Sequence, residues 1–275
     1  MTSTTGSTQQ LASRVRRAAV LTHGKPQAIG SALARLATVA REAEVELVDE
    51  EAAGDDIDIA VVLGGDGTML RALTRFLGTG VPVIGVNFGR VGFLSSIPRR
   101  ELESGLARVF AGEYRVVELP TLDVEVGEER RVAVNDLVVA SAVVGRMIQL
   151  EWAVGAETLG RLPCDGVVCA TPSGSTGYNF SNGGPVLVWG LDAMAVTFIA
   201  PHSLNARPLV VPRGREVIVW NRTVELAATV LVDGHRVVDL SPGGRVVARI
   251  GEQRSLLATL PEETFFSRYS RTFAS

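Results

Sequence analysis

The sequence predicts an α/β N-terminal domain with a Rossmann-like parallel sheet, followed by an all-β C-terminal sandwich domain. Up to about residue 119, short apolar runs typical of strands alternate with amphipathic helical patterns. After residue 120, apolar and polar residues alternate with a period of two, and turn residues separate the runs. A glycine-rich turn also follows the most apolar run directly, which is typical of a strand that ends at a ligand site.

The elements follow in order along the chain. We expect residues 1–13 to form a disordered tail, residues 14–119 the α/β domain, residues 120–260 the β-sandwich, and residues 261–275 a segment that packs back on the first domain. Predicted strands of the first domain are 18–21, 45–48, 57–63 and 83–86, and its predicted helices are 28–42, 69–77 and 99–110. Predicted strands of the second are 122–126, 131–140, 148–154, 167–170, 195–199, 216–220, 229–232 and 245–250.

Composition narrows the class of protein. The chain has 275 residues, of which 46% are hydrophobic and 21% charged, so it is long enough for two cores and is not a disordered chain. A net charge of −3 offers no basic field for nucleic acid. We see no secretion signal and no apolar run that would span a membrane, so a cytoplasmic location is expected.

Two scarce residue types limit the chemistry. Lys25 is the only lysine among 27 basic residues, so phosphate binding is expected to rest on arginine and backbone amides. Cys164 and Cys169 are five positions apart, and in a single strand an odd spacing places them on opposite faces. We therefore expect neither a disulfide nor a shared metal from them.

The turn at residues 64–68 carries three glycines and one acid, Asp66. A plain corner between a strand and a helix needs one or two glycines and no acid, so this turn predicts a phosphate-bearing ligand beside a carboxylate. It matches neither the P-loop nor the G-x-G-x-x-G fingerprint. Asp66 stands near a predicted helix start, where the helix dipole favours its ionised form.

A second dense segment spans residues 165–185. A strand there leads into a turn rich in hydroxyls and glycines, with one aromatic residue, which suits a sugar and a base. The G-x-S-x-G elbow is not matched because position 173 is Ser, so a serine hydrolase is not favoured. An ordinary hydroxyl-rich loop would not need Asp165 and Tyr178 in the same stretch.

Together these segments resemble the NAD kinase family. Residues 64–68, 85–94, 135–136, 165–185 and 201–208 are each similar to a family segment and occur in the family's order. The first segment alone also resembles lipid kinases and phosphofructokinases. The resemblance covers almost the whole chain and implies a site in the cleft between the two domains.

The resemblance implies that ATP phosphorylates the 2′-hydroxyl of the adenosine ribose of NAD, giving NADP. It also implies Mg²⁺, held mainly by the ATP phosphates rather than by a protein metal site, and a homodimer or homotetramer. We expect no nucleic-acid or membrane partner. A kinase acting on a lipid or sugar, or a non-catalytic NAD(P) sensor, remains an alternative, although an acid aimed at phosphates argues against the sensor.

Site residues are carried over from the family position by position. Asp66 would be the base or orienting group for the ribose hydroxyl. The implied nucleotide-binding residues are Gly64, Gly65, Gly67, Arg71, Asn135, Asp136, Arg146, Asp165, Thr176, Gly177, Tyr178, Asn179, Ser181 and His235. The chain departs from the family's usual residues at Asp136 (Glu), Gly177 (Ala) and Asn182 (often Ala).

Three polar residues of the resembling segments and their surroundings also have a plain structural interpretation. On spacing alone, Arg71 is equally well a solvated surface residue, and the resemblance favours phosphate contact. Tyr178 is alternatively a half-buried residue at a strand end. His202 is interpreted as a hydrogen-bonded core histidine.

Overall fold

A computed structural model describes residues 14–22, 26–54, 56–89, 92–203 and 205–273. The predicted tail at 1–13 and Lys25 lie outside these residues. The chain divides into two compact units. Unit 1 comprises the chain up to Glu118 together with the chain from Leu256 onward, and unit 2 comprises Leu119 to Ser255.

Unit 1 alternates strands and helices, as the sequence predicts. Its elements before residue 118 are β1 (Arg17–Thr22), α1 (Pro26–Glu42), β2 (Glu46–Asp49), β3 (Ile59–Gly64), α2 (Asp66–Arg75), β4 (Val83–Asn87), β5 (Ile97–Pro98) and α3 (Leu102–Phe110). Short 3₁₀ turns occupy Glu50–Ala52 and Arg99–Glu101. Strand pairing runs in the order β2, β1, β3, β4, and each of these pairs is parallel.

The core of unit 1 surrounds β3, whose six residues are all buried. Ile59, Val61 and Leu63 join one apolar cluster with residues of α1 and α3. Helix α2 buries Met69, Ala72 and Leu73, an i, i+3, i+4 spacing that turns one face toward the sheet. A side chain at Gly85 in β4 would collide with Met69 Sδ, so the glycine lets α2 lie close to the sheet.

Unit 2 is built from strands, with one short helix. Its elements are β6 (Arg115–Val126), β7 (Glu129–Ala133), β8 (Asp136–Ser141), β9 (Ile148–Val154), β10 (Glu157–Cys164), β11 (Gly166–Ala170), a 3₁₀ turn (Gly174–Thr176), α4 (Tyr178–Ser181), β12 (Ala193–Ile199), β13 (Leu209–Pro212), β14 (Val217–Asn221), β15 (Ala228–Val232), β16 (His235–Leu240) and β17 (Arg245–Thr259). β6 begins and β17 ends in unit 1, where Leu257 pairs with Val83 of β4. Helix α5 (Phe265–Phe273) follows in unit 1.

Two antiparallel sheets enclose the core of unit 2. One has the order β10, β9, β14, β17 and continues through β6 and β7, and the other has the order β13, β12, β11, β8, β15, β16. One apolar cluster contains residues of both sheets, including Trp152 and Phe198, whose rings meet edge to face at 5.4 Å. The predicted order of an α/β domain followed by a β-sandwich is confirmed.

Local predictions fail at particular places. The run 131–140 is two strands rather than one, because the N–H groups of Val134 and Asn135 leave the ladder to bond a side chain from another turn. β10, β13 and β16 were not predicted. His202 is exposed, so its interpretation as a core histidine is wrong.

The predicted placement of the two cysteines on opposite faces of one strand is also wrong. Cys164 ends β10 and Cys169 lies in β11, with the turn at Asp165 between them. Both are free thiols buried in the same core cluster, so they do not lie on opposite faces of one strand. Burial raises the pKa of each thiol to about 12, which makes both poor nucleophiles.

Within the part of the chain that the structure describes, no helix combines the length and the apolar character that crossing a membrane would require.

Candidate active site

The glycine turn, residues 64–68, connects β3 to α2. Gly64 ends the strand, Gly65 is extended, and Asp66 begins the helix. A side chain at Gly64 would collide with Thr68, whereas one at Gly67 would meet no described atom within 4 Å. The first glycine is therefore needed for packing, and Gly67 faces open space where a ligand can approach the start of the helix.

The Asp66 carboxylate is bound by the backbone of a distant segment. Its Oδ2 accepts a hydrogen bond from Phe93 N at 2.8 Å, and its Oδ1 accepts one from Leu94 N at 3.1 Å. Burial raises the pKa of Asp66, while these N–H groups and the positive charge of Arg268 oppose the rise. Burial outweighs the opposing effects, so the acid is less acidic than its place at a helix start alone predicts.

Sequence reasoning missed Arg268, which lies in α5 and is fully buried. Its Nη1 donates to the carbonyl oxygens of residues 93, 94 and 95 at 2.7, 2.8 and 3.2 Å. We call these three residues the 93–95 segment. One sequence signal could have found Arg268. It lies three positions after the buried Phe265, so helical spacing places this arginine on the same buried face.

Arg71 of α2 is neither free nor simply solvated. Its Nη2 donates to Glu50 Oε2 at 3.0 Å and to the Thr22 carbonyl at 3.2 Å, while about half of the side chain stays exposed. A phosphate would have to share this guanidinium with Glu50. Its predicted phosphate contact stays a prediction.

In unit 2, a tight hairpin fixes another carboxylate. Asp233 and Gly234 form the two-residue turn between β15 and β16, with φ values of 50° and 79°, as a type I′ turn requires. The Asp233 carboxylate accepts hydrogen bonds from Val134 N at 2.8 Å, Asn135 N at 2.7 Å and Asp136 N at 3.1 Å. This acid was outside the predicted site, although an Asp-Gly pair between two alternating runs is itself a hairpin signal.

The hairpin holds the predicted pair Asn135 and Asp136 in place. Asn135 Oδ1 is buried and has no hydrogen-bond partner among the described residues, so it is suited to accept a hydrogen bond from a ligand. Asp136 is buried as well, and burial together with the charge of Asp233 raises the pKa of Asp136 to about 7. His235 begins β16 directly after the turn, and its charge opposes the rise in the pKa of Asp233.

Hydroxyl groups fasten the loop after β11 to the same place. Thr171 Oγ1 and Ser173 Oγ donate to the Val134 carbonyl at 2.7 and 2.9 Å. A side chain at Gly174 would collide with the Asn135 backbone, so this glycine permits the close approach. The loop of residues 171–185 therefore lies against Asn135.

The predicted pocket residues of this loop differ in accessibility. Gly177, Tyr178 and Ser181 are exposed, Tyr178 to 47%, and Thr176 is half-buried. Asn179 is fully buried, with its amide donating to Ser175 and Pro185 carbonyls and accepting from Thr197. Asn179 shapes the loop, whereas Tyr178 on α4 offers an aromatic surface to a ligand.

Two predicted residues lie elsewhere in unit 2. Asp165 precedes β11, whereas the loop that carries Tyr178 follows it, and the strand has five residues. At about 3.3 Å per residue, the strand separates them by roughly 16 Å. Arg146 follows β8 at the same end as Asp165 and lines an open groove of about 610 Å³ with Arg161 and Arg222. The structure thus brings Asn135, Asp136, His235 and the loop together, and places Asp165 and Arg146 at the other end of the sheet.

Comparisons with known proteins identify the family of the chain. Residues 3–114 match the ATP-NAD kinase N-terminal domain, and residues 134–260 match the ATP-NAD kinase C-terminal domain. The chain is 37% identical to the NAD kinase of Heliobacterium modesticaldum over 243 residues, which cover 86% of this chain and 85% of the relative. It belongs to the NAD kinase family.

Other comparisons within the family extend over nearly the full chain. NAD kinase 2 of Streptomyces coelicolor is 36% identical and aligned over 95% of both chains. An NAD kinase from Archaeoglobus fulgidus in complex with ATP superposes with a TM-score of 0.75 at 28% identity, covering 94% of this chain and 97% of that one. Yeast NADH kinase complexed with NADH shares the fold, with a TM-score of 0.82 at 21% identity over 95% and 88% of the two chains.

Proposed function

We propose that this NAD kinase transfers the γ-phosphoryl group of ATP to the 2′-hydroxyl of the adenosine ribose of NAD, giving NADP. The observation that carries the proposal is the Asp66 carboxylate, held at the open glycine turn of a chain that belongs to this family. NAD and ATP are the substrates, and NADP and ADP are the products.

Asp66 acts on the attacking hydroxyl. The carboxylate accepts backbone N–H groups of the 93–95 segment, and its two oxygens together offer about four acceptor sites, so it can also accept a hydrogen bond from a ribose hydroxyl. As the phosphoryl group moves to the ribose oxygen, the hydroxyl proton passes to Asp66. The raised pKa of Asp66 makes it a better base, because a very acidic carboxylate takes up a proton poorly.

Phosphoryl transfer has a loose transition state, so positioning and charge neutralisation matter more than base strength. Among the residues described, no three His, Cys, Asp or Glu side chains gather as a metal site. As the family resemblance implies, we propose that Mg²⁺ is held mainly by the ATP phosphates, whose charge it would neutralise. Gly67 leaves room for phosphate at the start of α2, Gly64 and Gly65 shape the turn that presents it, and Arg71 supplies a nearby cation.

Unit 2 holds the nucleoside. In this proposal Asn135 Oδ1 accepts from the adenine amino group, Asp136 contacts a ribose hydroxyl, and Tyr178 stacks on the base. Thr176, Gly177 and Ser181 line the pocket, His235 contributes a polar contact, and Asn179 supports the loop from behind.

We further propose that the protein is a homodimer or homotetramer. Asp165 and Arg146 lie too far from Tyr178 to bind the same end of a nucleoside. We propose that these two residues contact the nucleotide that a second copy of the chain binds. Light scattering coupled to size exclusion measures the subunit count. A cytoplasmic location and the lack of nucleic-acid and membrane partners stay predictions from the sequence.

The activity is tested by incubating the purified chain with ATP, Mg²⁺ and NAD and reading the product with an NADP-specific dehydrogenase. We expect NADP to form, and its formation to depend on all three additions. Parallel reactions with NADH, other triphosphates and polyphosphate define the substrate and donor range.

A folded chain that binds NAD, measured by calorimetry, but forms no NADP with any donor would contradict the proposal. That outcome would favour a non-catalytic NAD(P) sensor.

A further inference from the structure

Arg268 is an unusual residue for a nine-residue surface helix, because its side chain is completely buried. Burial of a guanidinium is costly unless close partners compensate it. Burial lowers the pKa of Arg268 to about 10, so the group is still charged at neutral pH. Glu263 Oε2 lies 3.8 Å from Arg268 Nε but pairs more closely, at 2.8 Å, with Arg271, so this ion pair alone does not account for the burial of Arg268.

Apolar contacts already attach α5 to the rest of unit 1. Phe265 meets the ring of Phe93 edge to face at 5.4 Å, and Phe273 lies 6.0 Å from the same ring. An apolar residue in place of the arginine would extend these contacts without the desolvation cost. Anchoring of the helix therefore does not require Arg268.

The three carbonyl acceptors of Arg268 are consecutive. All belong to the 93–95 segment, so one guanidinium nitrogen fixes the orientation of successive peptide groups. The N–H groups of the same segment, at Phe93 and Leu94, donate to the two oxygens of Asp66. The segment thus lies between a cation bound to its carbonyl oxygens and an anion bound to its N–H groups.

This arrangement couples the two charges in two ways. The Phe93 carbonyl and the Leu94 N–H belong to one peptide group, and a peptide polarised at its oxygen donates a stronger hydrogen bond from its N–H, so Arg268 strengthens the Leu94 bond to Asp66. The positive charge of Arg268 also acts directly on Asp66 and lowers its pKa, against the effect of burial. Both effects favour the ionised carboxylate in one fixed orientation.

We propose that Arg268 is a positioning residue that aims the Asp66 carboxylate through the 93–95 segment. Arg268 touches neither substrate nor the transferred group in this mechanism. It sets the direction and the charge of the acid that does. The kinetic test of this inference rests on the proposed kinase activity, whereas the titration of Asp66 rests on the structure alone.

The test compares Arg268→Met and Arg268→Lys with the matched control Arg271→Met. Arg271 lies three positions further along the same helix, is exposed, and pairs with Glu263, the acid that also lies 3.8 Å from Arg268 Nε. Its loss therefore disturbs the ion pair without removing the contacts to the 93–95 segment. We expect kcat to fall about 10- to 100-fold in Arg268→Met, because a misaligned catalytic group costs up to about 10²-fold. The KM values for NAD and ATP should change less than about threefold, and Arg271→Met should keep the wild-type kcat.

Charge and geometry are separated by the pH profile. Loss of the cation raises the pKa of Asp66, so the acidic limb of the kcat profile moves to higher pH in Arg268→Met. Arg268→Lys keeps the charge but has no planar fork, so its limb stays near that of the wild type while kcat falls about 3- to 10-fold. A residue that only stabilised the helix would lower the melting temperature and leave the limb in place.

A second readout does not depend on activity. In chains labelled with ¹³C at aspartate carboxyl carbons, the Asp66 signal, assigned with Asp66→Asn, reports its pKa by NMR titration. We expect this pKa to rise in Arg268→Met and to stay close to the wild-type value in Arg268→Lys. This titration stays decisive if the wild-type chain makes no NADP, an outcome that would remove the proposed function rather than the positioning role.

Two results would overturn the proposal. One is a folded Arg268→Met variant with kcat within twofold of wild type and an unchanged pKa of Asp66. The other, decisive if Arg268→Met does not fold, is an Arg268→Lys variant with wild-type kcat, since this would show that the three-carbonyl contact is dispensable.

Discussion

Asp66 in unit 1 and Asp233 in unit 2 each place a carboxylate against consecutive backbone N–H groups of a distant segment. Asp66 bonds the N–H groups of residues 93 and 94, and Asp233 bonds those of residues 134, 135 and 136. Burial raises the pKa of both acids, and the N–H groups oppose the rise in both. The same local arrangement therefore occurs in both units.

The two acids differ in what surrounds them. Asp66 stands at the start of a helix, beside open space at Gly67 and near the cation Arg268. Asp233 stands in a hairpin turn, and its charged neighbours are another acid, Asp136, and His235. The comparison teaches that the surroundings decide what a carboxylate held by backbone N–H groups can do. Beside a cation and open space, as at Asp66, it is suited to act on a substrate. At Asp233 it instead fixes the orientation of Asn135 and Asp136.

The largest effect is expected for Asp66→Asn. The amide cannot take the hydroxyl proton, and general-base assistance is worth roughly 10²- to 10⁴-fold, so kcat for NADP formation should fall by about that factor. One amide hydrogen would also face a backbone N–H, at a cost of about 1–3 kcal/mol in the free energy of unfolding. Steady-state kinetics and urea unfolding measure the two effects.

A matched control separates catalysis from stability in this variant. Asp58 also accepts two backbone N–H groups, from Arg16 at 2.7 Å and Arg17 at 2.9 Å, but not at the glycine turn. Asp58→Asn should lower stability without changing kcat. If Asp66→Asn turned over NAD at a nearly normal rate, Asp66 would have only the structural part of the role and the comparison would fail.

A smaller effect on turnover is expected for Asp233→Asn. Asn-Gly suits a type I′ turn as well as Asp-Gly does, so the hairpin should persist and only the carboxylate is lost. The N–H groups of residues 134–136 would lose a charged acceptor, which we expect to cost about 1–3 kcal/mol in the free energy of unfolding.

The kinetic pattern of this variant distinguishes the two acids. Because Asn135 and Asp136 would lose their fixed orientation, the KM for NAD should rise about tenfold while kcat changes little. Steady-state kinetics over a range of NAD concentrations measures both. A fall in kcat with an unchanged KM would place Asp233 in the chemistry and erase the difference between the two acids.

The sequence predicted one acid of this comparison and not the other. Asp66 stood out because glycines around an acid directly after an apolar strand have no simple structural use. Asp233 and Arg268 did not, because their roles depend on N–H and carbonyl groups of residues some 97 and 175 positions away. Local periodicity carries no information on such contacts.

The same reason explains the other differences. The alternation that predicts strands in unit 2 is interrupted at Val134 by a contact to Asp233, so one predicted strand became β7 and β8. The motif places Asn179 among the ligand contacts, which stays a prediction, and gives no sign of its side-chain bonds to Ser175, Pro185 and Thr197. Patterns identify which loops matter, and only the fold decides which side chains face a ligand.

The last prediction concerns pH and Asp136. Its pKa in the folded chain is about 7, above the ordinary value of 3.8, because of burial and the charge of Asp233. The folded chain then binds more protons than the unfolded chain between about pH 4 and pH 7, so this residue makes the protein less stable as pH rises through that window. Asp136→Asn has no such proton to lose. The difference in the free energy of unfolding, variant minus wild type, should therefore rise by up to about 1.4 kcal/mol for each pH unit between about pH 4 and pH 7.

Urea unfolding at several pH values measures this difference, and Asp239→Asn is the control on the same hairpin. Arg236 lowers the pKa of Asp239, so its contribution to stability is lost only as pH falls below about 4, and its difference from wild type should stay level from pH 5 to pH 7. A level difference for Asp136→Asn as well would mean that Asp136 is ionised beside Asp233 throughout. Both acids would then carry their charge at neutral pH, and the electrostatic contrast with Asp66 and Arg268 would be weaker than the structure indicates.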